Sequence, residues 1–305
     1  MMFDPNIFRV NTEVESALAQ HRPVVALEST VIAHGLPRPQ NLETAHRLEQ
    51  TVRDAGATPA TIAILGGQLR VGLDRDQLQK IAESAEIKKI STGDLAVAVA
   101  NKWSGATTVA STIWIAHRAG IQVFVTGGIG GVHRGALPDV SADLPELART
   151  PIVVVCSGAK IVLDLPATRQ WLETQGITVV GYQCDEMPAF YSRRSGLPID
   201  TRVDSPDEVA RLVRAQRALG INSALLVTVP VPADAEVRAD ALERFLGDAL
   251  LEAERRQIVG RDLTPFLLSR MQEQSAGATL LANIALLENN AAVAARIAGA
   301  LSKTS

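Results

Sequence analysis

The sequence predicts an α/β protein, an α/β/α sandwich around a mainly parallel sheet with extra C-terminal helices packed on it. Short apolar runs alternate along the chain with helical patterns, and several of the predicted helices end at a glycine before the next run. Aromatic residues make up only 4% of the 305 residues. Aliphatic strands of this kind are typical of a sheet that helices cover on both faces. We expect one α/β domain, residues 1–305, that is rich in helix from about residue 234.

The elements follow one another in a regular order. The predicted strands are the apolar runs at residues 24–27, 61–65, 122–125, 152–156, 177–181 and 224–229. The predicted helices cover residues 41–55, 74–85, 107–119, 167–174 and 205–219, and all but the second end at Gly56, Gly120, Gly176 or Gly220. A further helix is predicted at residues 94–103, after Lys88 and Lys89.

The last part of the chain is predicted to be almost entirely helical, with helices at residues 235–257, 265–274 and 279–300. No linker rich in Pro, Gly or Ser separates these helices from the strand at 224–229. We therefore expect them to pack back on the sheet rather than to form a second domain.

Composition excludes several classes of protein. A net charge of −3 creates no broad positive field, which argues against binding a nucleic-acid polymer. The two cysteines lack CxxC spacing and are expected to be reduced, buried thiols. The first residues have no secretory h-region, and no uninterrupted apolar run reaches the ~18 residues of a membrane span. We expect a cytoplasmic protein without a membrane partner.

Two charged residues stand where apolar strands end, and ligands of open α/β sheets bind at such positions. Glu28 directly follows the first run. It is either an acid on an edge strand or a functional acid. Lys160 follows the run at 152–156 among small and apolar residues. A desolvated amine there can attack a carbon centre, although a surface lysine that extends to solvent is the alternative.

A glycine-rich segment follows the run at 122–125. Residues 126–135 contain five glycines, which permit a ligand to approach the backbone closely. They do not form a dinucleotide fingerprint, because His133 occupies the third glycine position, and no Walker motif occurs. Asp139, Ser141 and Asp143 follow. They can supply a metal ligand and an acid–base group, or simply cap a helix at 144–149.

Longer strings of the sequence resemble the pseudouridine-5′-phosphate glycosidase family, the indigoidine synthase A-like family. Among them are ALESTVIAHGLP at 26–37, GATTVAST at 105–112, TGGIGGVHRG at 126–135 and CSGAK at 156–160. The similarity continues through residues 39–41, 63–65, 72–73, 141–144, 181–183, 188–190, 264–268 and 283–284. The matching strings therefore run in order through nearly the whole chain.

The resemblance implies an enzyme that reversibly cleaves the C–C glycosidic bond of pseudouridine 5′-phosphate, giving uracil and ribose 5-phosphate. It implies a lysine covalent intermediate of the imine type, a divalent metal, usually manganese, and a homotrimer. The proton donor falls on Glu28, the nucleophile on Lys160 and the metal ligand on Asp139. Substrate contacts fall on Lys89, Val109, Ser141, Ala142 and Asp143, with further pocket positions at Thr126, His133 and Asn283.

The chemistry gives these residue types a purpose. A base joined through carbon cannot leave by simple protonation of a nitrogen, so an acid that opens the sugar and an amine that adds at C1′ provide another route. Asp143 could shuttle protons to that amine. Since the chain has no obvious phosphoryl-transfer site, a separate pseudouridine kinase is expected to supply the substrate.

Other functions compete with this one. A sugar or nucleoside kinase is disfavoured because residues 260–262 lack the glycine–aspartate signature that such kinases carry late in the chain. A non-catalytic nucleotide-binding protein would need neither the acid at Glu28 nor the amine at Lys160. A Rossmann dehydrogenase is weakened by the broken glycine pattern.

Overall fold

A computed structural model describes residues 4–135 and 139–303, apart from the Arg261 side chain. Its strands are β1 Phe8–Val10, β2 Val24–Leu27, β3 Thr58–Leu65, β4 Gln68–Val71, β5 Lys88–Ile90, β6 Gly105–Thr107, β7 Val123–Val125, β8 Val153–Cys156, β9 Thr178–Tyr182, β10 Thr201–Val203 and β11 Leu225–Thr228. Its α-helices are α1 Thr12–Ala19, α2 Gln40–Asp54, α3 Arg75–Glu83, α4 Leu95–Ala100, α5 Val109–Arg118, α6 Asp143–Arg149, α7 Leu165–Thr174, α8 Pro206–Ala218, α9 Ala239–Arg255, α10 Leu263–Gln274 and α11 Ala278–Ser302.

Within the described residues the strands form one sheet of eleven, in the order β1-β4-β3-β2-β7-β8-β11-β9-β10, with β6 beside β3 and β5 beside β6. The pairs from β3 through β2 to β10 are all parallel. The second half of β3 pairs antiparallel with β4 and β6. The predicted fold class, a mainly parallel sheet in an α/β protein, is confirmed.

The helix ends follow local rules of sequence. Asp164 and Ser205 cap α7 and α8 by accepting from backbone N–H groups in the first turn, and a proline follows each cap. The four glycines predicted to end helices adopt positive φ, between +66° and +86°. The helix boundaries therefore lie close to the predicted ones wherever a cap residue or a terminal glycine marks them.

Some predicted boundaries are wrong. Residue 107, the predicted start of a helix, ends strand β6, and α5 begins at Val109 after the Thr108 cap. The helix predicted at 94–103 is only Leu95–Ala100, preceded by a 3₁₀ turn at Thr92–Asp94. The Asp143 carboxylate does not cap α6, because it binds elsewhere. Ala142 occupies the N-cap position without a side-chain hydrogen bond, and the Ser141 hydroxyl before it accepts from Asp143 N–H (3.3 Å) at the start of the helix.

Of the three C-terminal helices, α11 lies against the sheet, where it packs on β2, β7 and β8. Helices α9 and α10 pack on each other, and α10 also contacts α11. By length and composition α11 could cross a membrane, but 56% of the relevant window is buried inside the protein, as in a core helix. One cluster of buried apolar side chains runs from Phe8 to Leu301. The apolar sequence of α11 is thus explained by its place in this core.

The strand order positions a site. From β2 the chain continues to β3 on one side, and later returns to β7 on the other side. This change of direction is a topological switch point, where the loops that leave adjacent strands separate and open a crevice. The residues that follow β2, β7 and β8 border this crevice.

Candidate active site

A cavity of about 440 Å³ lies at the carboxyl ends of β2, β7 and β8. Every residue that the sequence analysis selected contributes to its wall, namely Glu28, Lys89, Val109, Thr126, His133, Asp139, Ser141, Ala142, Asp143, Lys160 and Asn283. The fold thus brings together residues that are up to 255 positions apart in the chain. Their individual roles remain predictions.

Glu28 and Thr126 form a buried pair. They follow β2 and β7, whose last residues Leu27 and Val125 are directly paired. The Thr126 hydroxyl donates a hydrogen bond to Glu28 Oε1, and Glu28 is 7% exposed. Burial is the largest influence on this carboxyl and raises its pKa, although Lys160 and the Thr126 hydroxyl act in the opposite direction. A carboxyl that keeps its proton closer to neutral pH can act as a general acid.

Lys160 reaches the cavity on a loop that is bound to the glycine-rich segment. After β8, Ser157 N–H donates to Gly127 O (2.8 Å) and Lys160 N–H donates to Ile129 O (3.1 Å). Gly158 makes this path possible, because its φ is +82° and a Cβ there would lie 2.1 Å from Pro188 O. The Lys160 side chain is half-buried and its charge acts on Glu28. The candidate acid and the candidate nucleophile therefore share one cavity.

Asp143 is a fixed acceptor between two elements. Its Oδ1 accepts from Ala110 N–H (2.9 Å), in the first turn of α5, and its Oδ2 accepts from Gly130 N–H (2.8 Å). Because both oxygens bind backbone donors, the carboxylate holds the glycine-rich segment against the α5 N-terminus. This arrangement differs from the proton shuttle suggested by the sequence.

Gly130 is required by close packing. A Cβ at this position would lie 2.2 Å from Ser141 Oγ and 2.7 Å from Asp143 Oδ2. Ser141 N–H donates to Gly131 O (2.9 Å), so residues 130–131 and 141–143 are tightly joined. The absence of a side chain at Gly130 therefore permits the acceptor geometry of Asp143.

A group of donors suited to an anion lies on one wall of the cavity. Lys89 is half-buried there, whereas Lys88 projects to the other side of β5 and lies over the Trp103 ring at 4.8 Å. Thr108 and Val109 bring the N-terminus of α5 to the same cavity. A cation beside a helix N-terminus is a favourable environment for a phosphate.

Asp139 is the candidate metal ligand. It is exposed at the cavity wall, and its carbonyl accepts from His133 N–H (2.8 Å). Among the described residues, no three His, Cys, Asp or Glu side chains converge on a common point. The donor set fits a hard divalent ion that takes one protein carboxylate and completes its shell with water and substrate oxygens. It does not fit a metal held in a cage of protein ligands.

Sequence reasoning missed several wall residues. Thr30 and His34 lie on or next to a π-helical turn at Val31–Gly35, a type of turn that often occurs at functional sites. Burial lowers the pKa of His34, and the charge of Lys89 adds to this effect. Phe190 also lines the cavity, in a left-handed backbone conformation (φ +61°). His34 and Phe190 belong to strings that match the family, so a signal for them was present.

Two buried polar atoms in the wall have no hydrogen-bond partner among the described residues. They are Thr30 Oγ1 and Asn283 Oδ1. Asn283 is 7% exposed and projects from α11. A buried acceptor or hydroxyl without a partner is costly, and a bound ligand that supplies the missing hydrogen bond removes the cost.

Comparisons with known proteins match nearly the whole chain. The family model of indigoidine synthase A-like proteins matches residues 13–300. A pseudouridine-5′-phosphate glycosidase of Caldanaerobacter subterraneus subsp. tengcongensis is 50% identical over 296 residues, covering 96% of each chain. One of Staphylococcus aureus is 47% identical over 293 residues, covering 95% of each chain.

Two crystal structures are similar over nearly the whole chain. An indigoidine synthase A-like protein of Thermotoga maritima has a TM-score of 0.91 and 37% identity, covering 99% of each chain. The prealnumycin C-glycosynthase AlnA, in complex with ribulose 5-phosphate, has a TM-score of 0.90 and 41% identity, covering 97% of each chain. The second of these proteins binds a pentulose phosphate and makes a C-glycosidic product, as its name states.

Proposed function

Because the chain belongs to the indigoidine synthase A-like family, we infer that it is a pseudouridine-5′-phosphate glycosidase, which cleaves a C–C glycosidic bond to release uracil and ribose 5-phosphate. The observation that carries this function is the meeting of a buried acid, Glu28, and a half-buried amine, Lys160, in one cavity. Simple binding of a nucleotide requires neither group.

The reaction begins with the opening of the sugar. Glu28 donates its proton to the ribose ring oxygen as the C1′–O4′ bond breaks, and the uracil ring supplies the electrons. The raised pKa of Glu28 favours this role, because the carboxyl keeps its proton to a higher pH than an exposed one does. The Thr126 hydroxyl holds the carboxyl by its hydrogen bond to Oε1.

Covalent catalysis by Lys160 follows. The neutral amine adds to C1′ and forms a C–N bond, after which the nitrogen releases a proton and uracil C5 gains one. The C1′–C5 bond then breaks as the nitrogen lone pair forms an iminium at C1′, and uracil departs. Water adds to the iminium and releases Lys160, leaving ribose 5-phosphate. The net change is the addition of one water molecule across the C–C bond.

The phosphate defines the orientation of the substrate. We assign it to the wall formed by Lys89 and the N-terminus of α5, with the hydroxyl of Ser141 nearby. The remaining predicted contacts, Val109, Ala142, His133 and Asn283, border the space left for the sugar and the base. Asp143 supports both sides of this space through Ala110 and Gly130.

The proposal includes a divalent metal, most suitably Mn²⁺, with Asp139 as its protein ligand. When bound, such an ion neutralises part of the phosphate charge and helps to orient the sugar phosphate. The exposed position of Asp139 leaves room for water and substrate oxygens around the ion.

We also infer the oligomeric state of the enzyme, its location and the source of its substrate. A homotrimer, a cytoplasmic location and a pseudouridine kinase that supplies the substrate are inferred from the family resemblance. The large apolar side chains of Leu251, Val259 and Leu281 are 60–75% exposed and are suited to contacts between subunits. The activity of AlnA as a C-glycosynthase supports the proposal that this chain catalyses its reaction in both directions.

The test is to incubate the purified protein with pseudouridine 5′-phosphate and Mn²⁺ and to follow uracil by chromatography. Uracil is expected with the native chain and not with Lys160→Ala, and chelation of the metal should reduce the rate. ATP should have no effect, which separates this function from a kinase. Binding of the nucleotide without uracil release would instead support the non-catalytic alternative.

A further inference from the structure

Asn290 is a fully buried amide in an otherwise apolar part of α11. It is 0% exposed, and its neighbours on the helix include the buried residues Leu287, Ala291 and Val293. An amide taken out of water costs several kcal/mol unless it is hydrogen-bonded, so its partners must explain its presence.

The partners of Asn290 are the ends of two strands that carry the active site. Asn290 Nδ2 donates to Thr126 O at 3.0 Å and to Ser157 Oγ at 3.1 Å, and the Ser157 hydroxyl donates to Asn290 Oδ1 at 3.3 Å. Thr126 directly follows β7 and holds Glu28 through its hydroxyl, while Ser157 begins the loop from β8 to Lys160. The amide therefore connects the residue that binds the acid with the loop that carries the amine.

Backbone hydrogen bonds also hold Thr126 and Ser157, the two residues that Asn290 connects. Thr126 N–H donates to Val155 O (3.0 Å), and Phe190 N–H donates to Ser157 O (2.9 Å). Ser157 is fully buried, like Asn290. Asn290 provides the hydrogen bonds that reach these two strand ends from outside the sheet.

We propose that Asn290 is a positioning residue of the reaction, which sets the geometry between Glu28 and Lys160 through Thr126 and Ser157. It lies seven residues after Asn283, two helical turns and about 10 Å further along the same face of α11. It has no contact with substrate in this role. This inference depends on the proposed function, since it concerns the rate of the covalent reaction.

The consequences for catalysis are specific. Loss of the amide leaves Thr126 O without its donor and frees the Thr126 hydroxyl to move away from Glu28. A misplacement of about 1 Å between reacting groups costs on the order of 10²-fold in rate. Because the phosphate wall at Lys89 is on another part of the sheet, substrate affinity should change little.

The test compares Asn290→Leu, which is similar in size but has no amide, with Ile297→Ala as a matched control. Ile297 is fully buried on the same face, seven residues further along α11, and its side chain has no group that could form the hydrogen bonds of Asn290. Its truncation lowers the melting temperature by leaving a cavity in the core, without removing a hydrogen bond. Uracil release from pseudouridine 5′-phosphate is measured with each variant, after thermal melting shows which samples are folded.

We expect Asn290→Leu to lower kcat about 10²-fold with KM within about 3-fold of the native value, and Ile297→Ala to retain native kcat. The pH above which Asn290→Leu loses activity should move upward, because the Thr126 hydrogen bond that lowers the pKa of Glu28 is weakened. Thr126→Val should show the same displacement of the pH profile, and adding Asn290→Leu to it should displace the profile little further.

Native kcat in folded Asn290→Leu would overturn the inference, and so would an equal loss of kcat in Ile297→Ala. If Asn290→Leu does not fold, Ser157→Ala serves as the second variant, with the same expected loss of kcat at constant KM. A native protein that releases no uracil would refute the proposed function itself, and this outcome is seen before any variant is compared.

Discussion

Replacement of Asp143 by Asn tests whether the carboxylate joins two elements of the site. The Asp143 oxygens accept from Ala110 N–H and Gly130 N–H, and the residue is 5% exposed. Asparagine offers one carbonyl oxygen and one NH₂ group, so it satisfies one of these donors and directs its own N–H groups at the other. The variant thus loses one hydrogen bond to a charged acceptor and leaves one buried N–H unsatisfied.

The expected loss follows from those two contributions. A hydrogen bond to a charged group contributes about 1.5–3 kcal/mol, and an unsatisfied buried donor costs about 1–3 kcal/mol, so the free energy of unfolding should fall by about 2.5–6 kcal/mol. For a chain of this length the melting temperature should fall by about 4–9 °C. Uracil release should fall at least about tenfold, since the α5 N-terminus and the glycine-rich segment lose their common acceptor.

The assay is thermal melting at one fixed protein concentration, combined with steady-state uracil release. Asp74→Asn is the matched control, because Asp74 is an exposed N-cap that accepts from Gln77 N–H (2.8 Å) and asparagine caps equally well. Its melting temperature should stay within about 1 °C of the native value. If Asp143→Asn behaves like this control, the carboxylate does not hold the two elements and the reasoning is wrong.

Three further predictions concern charge, backbone and metal. Burial raises the pKa of Glu28, so the free energy of unfolding falls as pH rises above the unfolded pKa of 4.5. Glu28→Gln should therefore have a higher melting temperature than the native protein at pH 8 but not at pH 4, without uracil release at either pH. Equal melting temperatures at pH 8 would contradict this. Gly158→Ala should lose about 3 kcal/mol or more of stability in denaturant titrations, because φ of Gly158 is +82° and a Cβ there would meet Pro188 O. The control Gly176→Ala, where φ is +66° and no atom lies near the added Cβ, should lose only about 1 kcal/mol, and equal losses would refute the steric argument. Asp139→Asn should raise the Mn²⁺ concentration needed for half-maximal uracil release about tenfold or more without a change in melting temperature, and an unchanged metal requirement would remove Asp139 as ligand.

Much of the fold was predictable because its central strands are continuous aliphatic runs. Strand β2 occupies residues 24–27 as predicted, β7 and β8 begin one residue later than predicted, and β9 and β11 differ from their predicted bounds by one residue at each end. The strands that were missed are short or alternate in polarity. In Gln68–Val71 only every second residue is buried, and Gly105–Thr107 consists of small residues that also suit a helix start. These segments are strands because β4 pairs with β1 and β3, and β6 pairs with β3 and β5.

The site was predictable as a set of residues, but not in its supporting contacts. The strings around Glu28, Thr126 and Lys160 are long enough to indicate the family, and the structure places them around one cavity. The same sequence left open whether Ser141 or Asp143 caps α6. The Asp143 carboxylate does not cap it because Ala110 and Gly130, which reach Asp143 only in the folded chain, bind both of its oxygens. Asn290 carries no sequence signal, because a lone amide in an apolar helix acquires its meaning from the strand ends that it contacts.

The covalent role of Lys160 is the central claim, and borohydride trapping tests it most directly. The protein is incubated with ribose 5-phosphate, the product of the reaction, and reduced, and the site of any mass gain is found by peptide mass spectrometry. We predict one reduced pentose phosphate per chain, attached to Lys160, and none in Lys160→Arg. An adduct on another lysine, or no adduct in a protein that releases uracil, would contradict the covalent mechanism.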